Sequence, residues 1–438
     1  MNSPLTRPLK LPGGATLPNR LCKAAMTEGL ADAQLRATVR HERLYRAWSE
    51  GGAGLLLTGN VQIDRRVLER PGNVAIDVTA GGDGAEARAA LKRWSAAGTV
   101  GGNHLWMQIA HAGRQSPRYV TLTPMGPSDV QLDLLGNYGR PRALREEEIL
   151  DFIQRFARVA VVARECGFTG AQIHSAHGYL LSSFLSPVTN RRSDAWGGSI
   201  ENRARMLIET VRATRKAVGA DFPLSVKLNS DDFRKGGFSS EDCLQVVQML
   251  NAEGLDLLEI SGGTYEQPKL LGFTGRDKDA APMRESTRKR EAYFLEYASA
   301  IRKIAKMPIM VTGGFRTRAG MEEALASGDC DVIGLGRPLC THPDVPTKLL
   351  SGVLAETPAF ERTLVLQKTG LFSPTSRVLL FKLLNVLGGQ GWYYQQLFQL
   401  ADDKPPALGR GVLFAFFAYW WDEVTTALRM HLARDRSA

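Results

Sequence analysis

The sequence predicts an eight-stranded parallel α/β barrel, the (β/α)8 TIM barrel, with an N-terminal β-hairpin and a C-terminal helical extension. Short β-like apolar runs alternate with helical stretches, they number eight, and their C-terminal ends are polar. The hairpin is read from Pro8 to Asn19, around Pro12-Gly13-Gly14. The strands are Leu21–Met26, Gly54–Thr58, His104–Ile109, Gly170–His174, Leu224–Leu228, Leu257–Ser261, Ile309–Thr312 and Val332–Leu335. Helices are expected over Glu146–Glu165, whose apolar residues recur with a 3.6 period, and over Glu201–Val218, Ser240–Glu253, Arg290–Ile304 and Arg318–Ser327. Arg114 to Arg140 is an insertion rich in Pro, Gly and Thr, placed where a loop covers a barrel mouth. The alternation stops near Pro346, so residues 1–345 are expected to form the barrel and 346–438 the helical extension. That extension carries aromatic clusters at Trp392, Tyr393 and Tyr394 and at Phe414, Phe416, Phe417, Tyr419, Trp420 and Trp421.

Composition narrows the class. The 438 residues are 44% hydrophobic and 23% charged, as in an ordinary globular protein. The net charge of +10 is spread along the chain, so no nucleic-acid footprint is indicated. The five cysteines form no close pair, which fits reduced cytoplasmic thiols. The first ten residues contain prolines where a signal peptide needs its apolar stretch. The longest apolar run, Val412 to Trp421, falls short of the roughly 18–20 residues that span a bilayer. A soluble, cytoplasmic protein is expected.

Chemistry in such a barrel sits at the C-terminal strand ends. Here these carry Met26-Thr27, Thr58-Gly59-Asn60, Gln108 with His111-Ala112-Gly113-Arg114, His174-Ser175-Ala176-His177-Gly178-Tyr179, Lys227 with Asn229, and Ser261-Gly262-Gly263. The last two strands end in Gly313-Gly314 and Gly336-Arg337. Paired glycines that let backbone N–H groups reach an anion, beside an arginine, read as a phosphate cradle. Gly82 to Ala87 imitates a dinucleotide fingerprint, but no strand precedes it. His174 and His177 have no Cys or acidic partner nearby for a metal. As a pair they are either hydrogen-bonded barrel-mouth histidines or two N–H donors for an oxygen gaining negative charge, with Tyr179 near enough to deliver a proton. Spacing leaves both readings open.

These residues resemble the Old Yellow Enzyme family of FMN-dependent NAD(P)H:flavin oxidoreductases and ene-reductases, from Pro4 to about Asp344. The most specific piece is HSAHGYLLSSFLSPVTNRRSDAWGGSIENRAR, His174 to Arg205. Asn19-Arg20, Met26-Thr27, Gln108, His111 to Arg114, Gly313-Gly314 and Gly336-Arg337 follow the family's layout in order. The resemblance implies FMN across the mouth, its phosphate at Gly313, Gly314, Gly336 and Arg337. Gln108 is implied at the pyrimidine edge, and Ala25, Met26, Thr27 and Gly59 along the other edges, with Thr27 on flavin O4. Lys227 stands where many relatives carry Arg, beside N1–C2=O, without the planar fork of a guanidinium. His174 and His177 would hold the carbonyl oxygen of an α,β-unsaturated substrate or the nicotinamide amide. Hydride would pass from flavin N5 to the β-carbon and Tyr179 would protonate the α-carbon, with NADH or NADPH using the same pocket in turn. That implies a ping-pong enzyme needing no separate dinucleotide domain.

Two departures stand out. The family's Pro-Met-Thr is Ala25-Met26-Thr27, and the tail follows Cys340 without another cysteine. Iron–sulfur relatives need a cysteine cluster there, so ligand count excludes one. Packing on the barrel or a homo-oligomer contact is the expected role of the tail aromatics. A membrane-surface role is disfavoured because Asp422 and Glu423 adjoin the tryptophans. Other readings are a demethylase or isomerase on the same flavin, a phosphate-binding barrel lyase using Lys227 as Schiff base, and a non-enzymatic surface module. Pocket selectivity is assigned to the Arg114–Arg140 insertion and residues such as Tyr265.

Overall fold

The computed structural model describes residues 3–134, 136–262 and 295–435. Gly263, Tyr265 and the first residues of the Arg290–Ile304 helix lie outside the described residues. The chain opens with a hairpin, β1 (Leu9–Lys10) antiparallel to β2 (Thr16–Leu17). Eight parallel strands follow, β3 (Leu21–Lys23), β4 (Leu55–Leu57), β6 (His104–Ala110), β9 (Gly170–Ser175), β10 (Leu224–Asn229), β11 (Leu257–Ser261), β12 (Ile309–Thr312) and β13 (Val332–Leu335). They pair in chain order, and β13 pairs β3 while β4 pairs β6, closing the barrel. Short β5 (Val61–Gln62) adds to β6, and β7 (Met125–Gly126) pairs β8 (Arg142–Ala143). The eight strands are those the sequence indicates. β3, however, stops at Lys23 rather than Met26: Ala24 N–H still donates to Leu335 O, and beyond it the chain leaves the sheet.

The outer helices are α1 (Val39–Glu50), α2 (Ala85–Ala97), α3 (Glu146–Glu165), α4 (Leu180–Leu185), α5 (Ile200–Val218), α6 (Ser240–Leu250), α7 (Leu295–Arg302) and α8 (Arg318–Ala326). α3 shows why the pattern works. Glu146, Glu147 and Glu148 sit in its positive first turn and Arg164 in its last, while Ile149, Phe152, Ile153, Phe156, Ala160 and Ala163 bury one face. The residue pattern does not announce α1 and α2, because His41 and Ser49 stand among the apolar residues of the buried face of α1 and alanines make up much of that of α2. Gly82 to Ala87 opens α2 without a preceding strand, so the dinucleotide match is incidental.

Two apolar layers organise the barrel. Its interior floor is Cys22, Leu55, Leu57, Trp106, Leu257, Met310 and Val332, from the first halves of the strands, closed by Leu9, Leu11 and Leu17 of the hairpin. Gly13 N–H donates to Asp256 at 2.6 Å and ties the hairpin turn to the barrel. Each buried leucine of this plug contributes about 1.5–3 kcal/mol. Polar side chains lie above the floor, towards the mouth.

Beyond Asp344 come α9 (Val345–Leu350), α10 (Leu379–Ala401) and α11 (Val412–Asp435). Trp392 is fully buried, and Tyr394 stacks on Tyr419 at 5.3 Å, so part of the aromatic run packs inward as expected. Another part does not: Phe414, Phe417 and Trp421 are exposed. The carboxylate of Glu423 is buried against the Arg70 guanidinium, on the barrel side of α11. No helix among the described residues is long and apolar enough to cross a membrane.

Candidate active site

The strand ends bring most of the sequence-indicated residues to one mouth. Residues His177 and Gly178 follow β9 in left-handed backbone, φ +63° and +82°. For histidine that conformation is strained, of order 1–3 kcal/mol. It is held by His177 N–H donating to Asn229 Oδ1 at 3.1 Å. The turn swings Tyr179, the residue preceding α4, back against His174: the rings meet edge-on at 4.9 Å, and those of His174 and His177 at 5.3 Å.

The histidine chemistry follows from hydrogen bonding. Ala176 N–H donates to His174 Nδ1 at 3.2 Å, so in the neutral ring the proton sits on Nε2, which becomes a donor. His177 Nε2 lies 2.7 Å from Ser261 Oγ, so the sequence-predicted pair is joined by a hydroxyl from β11. Burial, and then the charge of Lys227, push both imidazoles well below the usual histidine pKa. Both are neutral at pH 7, and His174 presents its Nε2–H.

Lys227 is not an isolated cation. Its Nζ lies 2.9 Å from Glu259 Oε1, directly across in register, and both side chains are buried. Gln172 Nε2 donates to Glu259 Oε2 at 2.9 Å, and Gln108 Nε2 donates to Gln172 Oε1 at 2.6 Å. A continuous polar bridge thus crosses β6, β9, β10 and β11, from Gln108 to Lys227. Sequence reasoning missed Gln172 and Glu259. Both sit at odd–even register positions of the strands already identified, which is the signal that would have found them.

Met26 and Thr27 are fixed from below. Gly59 N–H donates to Glu28 at 3.0 Å, and Tyr45 Oη also donates to Glu28. A Cβ at Gly59 would come within 2.5 Å of Met26 O, so only glycine permits this approach. Beneath it, Lys23 Nζ donates to Leu57 O at 2.7 Å and lies 3.8 Å from Glu28; burial lowers Lys23 to about 8. Thr27 Oγ1 donates to Glu69 at 2.6 Å, and Asn60 Nδ2 donates to the same oxygen. Ala25 is half-buried beside the barrel interior.

At the far side, Gly313 and Gly314 adopt φ +111° and +89° directly after β12, and Gly336 and Arg337 follow the neighbouring β13. Met26 borders Gly336, closing the circle between the two ends of the site. Arg337 lies 3.7 Å from Glu361, which also pairs with Arg316 and accepts from Tyr393 Oη at 2.7 Å. The tail therefore reaches the glycine end of the mouth. In the Arg114–Arg140 insertion, Arg114 is buried with Nη1 at 3.4 Å from Gln131 O, and Tyr119 Oη donates to Glu423 at 3.0 Å.

The model of the NADH:flavin oxidoreductase / NADH oxidase family matches residues 4–356. The chain belongs to this family. Over 362 residues it is 36% identical to an NADH-dependent flavin oxidoreductase of Hypocrea jecorina, covering 78% of this chain and 88% of that one. It is equally identical, 36% over 362 residues, to one from a Neonectria species, covering 79% of this chain and 47% of that one, so it spans about half of that relative's length. The solved structure of the Old Yellow Enzyme homologue from Zymomonas mobilis superposes with a TM-score of 0.66 at 25% identity, over 82% of this chain and 95% of that one. This flavin oxidoreductase is accordingly an Old Yellow Enzyme homologue whose cofactor is FMN, with NADH or NADPH as hydride donor.

Proposed function

We propose that this oxidoreductase reduces the C=C bond of α,β-unsaturated carbonyl compounds by a ping-pong mechanism. The observation that carries the reading is the His174–His177–Tyr179 constellation: a tautomer-fixed Nε2–H donor, a second neutral imidazole, and a phenol packed against the first ring. FMN, which Gln108, Lys227, Gly313, Gly314, Gly336 and Arg337 would hold at the mouth, would supply the hydride chemistry between the nicotinamide and the substrate. The chain's residues do the rest. His174 Nε2–H and His177 hold the carbonyl oxygen and draw electron density from the β-carbon. Tyr179 gives its proton to the α-carbon. Residues 1–345 carry this chemistry, and residues 346–438 form a helical extension.

The donor set suits FMN. Left-handed glycines beside Arg316 and Arg337 match a phosphate, and the Gln108–Lys227 bridge offers an amide and an ammonium to a pyrimidine edge. Ala25, Met26, Thr27 and Gly59 border the remaining edges. A barrel lyase using Lys227 is set aside by the family match and by the ion pair that already engages its amine.

The visible spectrum of the purified enzyme tests the reading. Flavin bands that bleach under anaerobic NADH and return with 2-cyclohexenone are expected. Bands that bleach and do not return would transfer the reading to a demethylase or isomerase. Replacing both His174 and His177 by alanine is expected to weaken phenol binding by about two orders of magnitude, two lost charge-assisted bonds at 1.4 kcal/mol or more each. An unchanged phenol titration removes the oxyanion role from the pair.

The Glu259 counter-charge gives a further expectation. Glu259→Gln leaves Lys227 as an uncompensated cation near the pyrimidine edge, which favours the anionic reduced ring. The midpoint potential of bound FMN rises by about 30 mV or more, since 30 mV is about 1.4 kcal/mol for a two-electron couple. A potential unchanged in redox titration places Lys227 away from the ring.

A further inference from the structure

We propose that the C-terminal helices form a peripheral docking surface for an anionic lipid bilayer. On α11, Phe414, Phe417, Trp421, Val424 and Leu428 are 56%, 61%, 74%, 54% and 58% exposed. Their spacing alternates three and four residues, which places them along one side of a helix for about 21 Å. Isolated exposed apolar residues are ordinary, but an aligned series of large ones, with two aromatics and a tryptophan, marks an interaction surface.

The opposite side of α11 is committed to α10 and to the barrel. Ala415, Glu423, Ala427 and Met430 are buried, and Glu423 pairs with Arg70 and accepts from Tyr119. This removes the sequence-level objection to a membrane role, since Glu423 points away from the exposed side and Asp422 is drawn to within 4.0 Å of Arg70.

Charge selects the partner. From Arg362 to Ala401 the chain contains no Asp or Glu; Arg362 pairs with Glu356, which leaves Lys368, Arg377 and Lys382 as the cations of this stretch. The same stretch exposes Leu371, Phe372, Val378, Leu379 and Leu380. Asn385 clasps this segment to the start of α10, receiving Leu366 N–H and donating to Phe372 O, and Gly388 one turn later adjoins Val412 at the start of α11. Apolar side chains interleaved with cations, and no acids within the stretch, are complementary to an acyl boundary under negatively charged headgroups. A second copy docked on this stretch would set the same Lys368, Arg377 and Lys382 against one another. Because no described helix can cross a bilayer, the surface lies on the membrane and does not span it.

The test is sedimentation of the full-length FMN-loaded enzyme with vesicles of phosphatidylcholine alone or with one-quarter phosphatidylglycerol, at low and high salt. At least tenfold preference for the anionic vesicles, weakened by salt, is expected, with a blue shift of tryptophan emission. Phe417→Glu with Trp421→Glu, and separately Arg377→Glu with Lys382→Glu, should each lower binding about tenfold while the flavin spectrum and NADH oxidation in solution stay unchanged. No binding to anionic vesicles overturns the proposal, as does equal binding to both vesicle types. A dimer in light scattering that Trp421→Glu dissociates, without vesicle binding, assigns the face to a second copy instead.

Discussion

Tyr179→Phe lowers the rate at which 2-cyclohexenone restores the flavin bands by about 10²–10⁴-fold, the usual contribution of a positioned proton donor. Bleaching by NADH stays nearly unchanged, because hydride transfer to FMN takes no proton from this phenol. The expectation rests on position. The left-handed turn at His177 and Gly178 brings Tyr179 edge-on to the His174 ring at 4.9 Å, so the phenol lies beside the imidazole proposed to hold the substrate oxygen. Phenylalanine keeps that packing and removes the hydroxyl that would give the proton. Stopped-flow measurement of the two half-reactions separates the roles, and equal loss in both would sink the assignment of Tyr179 as acid.

Glu423→Ala destabilises the enzyme by about 3–5 kcal/mol, the cost of leaving a buried partner charge uncompensated. Arg70 Nε donates to Glu423 at 2.8 Å, and its guanidinium lies 4.0 Å from the Tyr394 ring centre. Burial, only partly offset by Arg70, holds Glu423 above the usual carboxylate pKa, so it takes up its proton before surface carboxylates do as pH falls. The loss also reaches the mouth. Tyr119 of the Arg114–Arg140 insertion loses its acceptor, and Glu69, beside Arg70, holds Thr27 and Asn60. Urea denaturation of the variant reads the effect; a change below about 1 kcal/mol would show the ion pair is no stronger than an exposed one. Replacing both partners, Arg70→Met with Glu423→Leu, should recover much of the stability.

Much of this protein is legible in its residues because a parallel barrel is built from near neighbours. Each strand pairs with the next one in the chain, so alternating apolar runs and helices give both the strand list and its order. The same logic places His174, His177, Lys227, Gly313 and Gly336 at one end, since strand polarity fixes which residues come last. Helices α1 and α2 are less readable, their buried faces being short and carrying His41 and Ser49 in the first and mostly alanine in the second.

The sequence by itself determined the barrel, the hairpin plug and the set of residues at the mouth. It did so because these follow from local periodicity and from the direction of each strand. Only the tertiary structure decided how those residues are paired: Lys227 with Glu259, His177 with Ser261, Thr27 with Glu69. Such partners are chosen by the barrel's closure, which sets inward-facing side chains from different strands against one another. The fate of the tail was decided in the same way. Arg70 and Glu423 lie 353 residues apart, and no local pattern records that one side of α11 would be anchored by that pair while its other side faces outward.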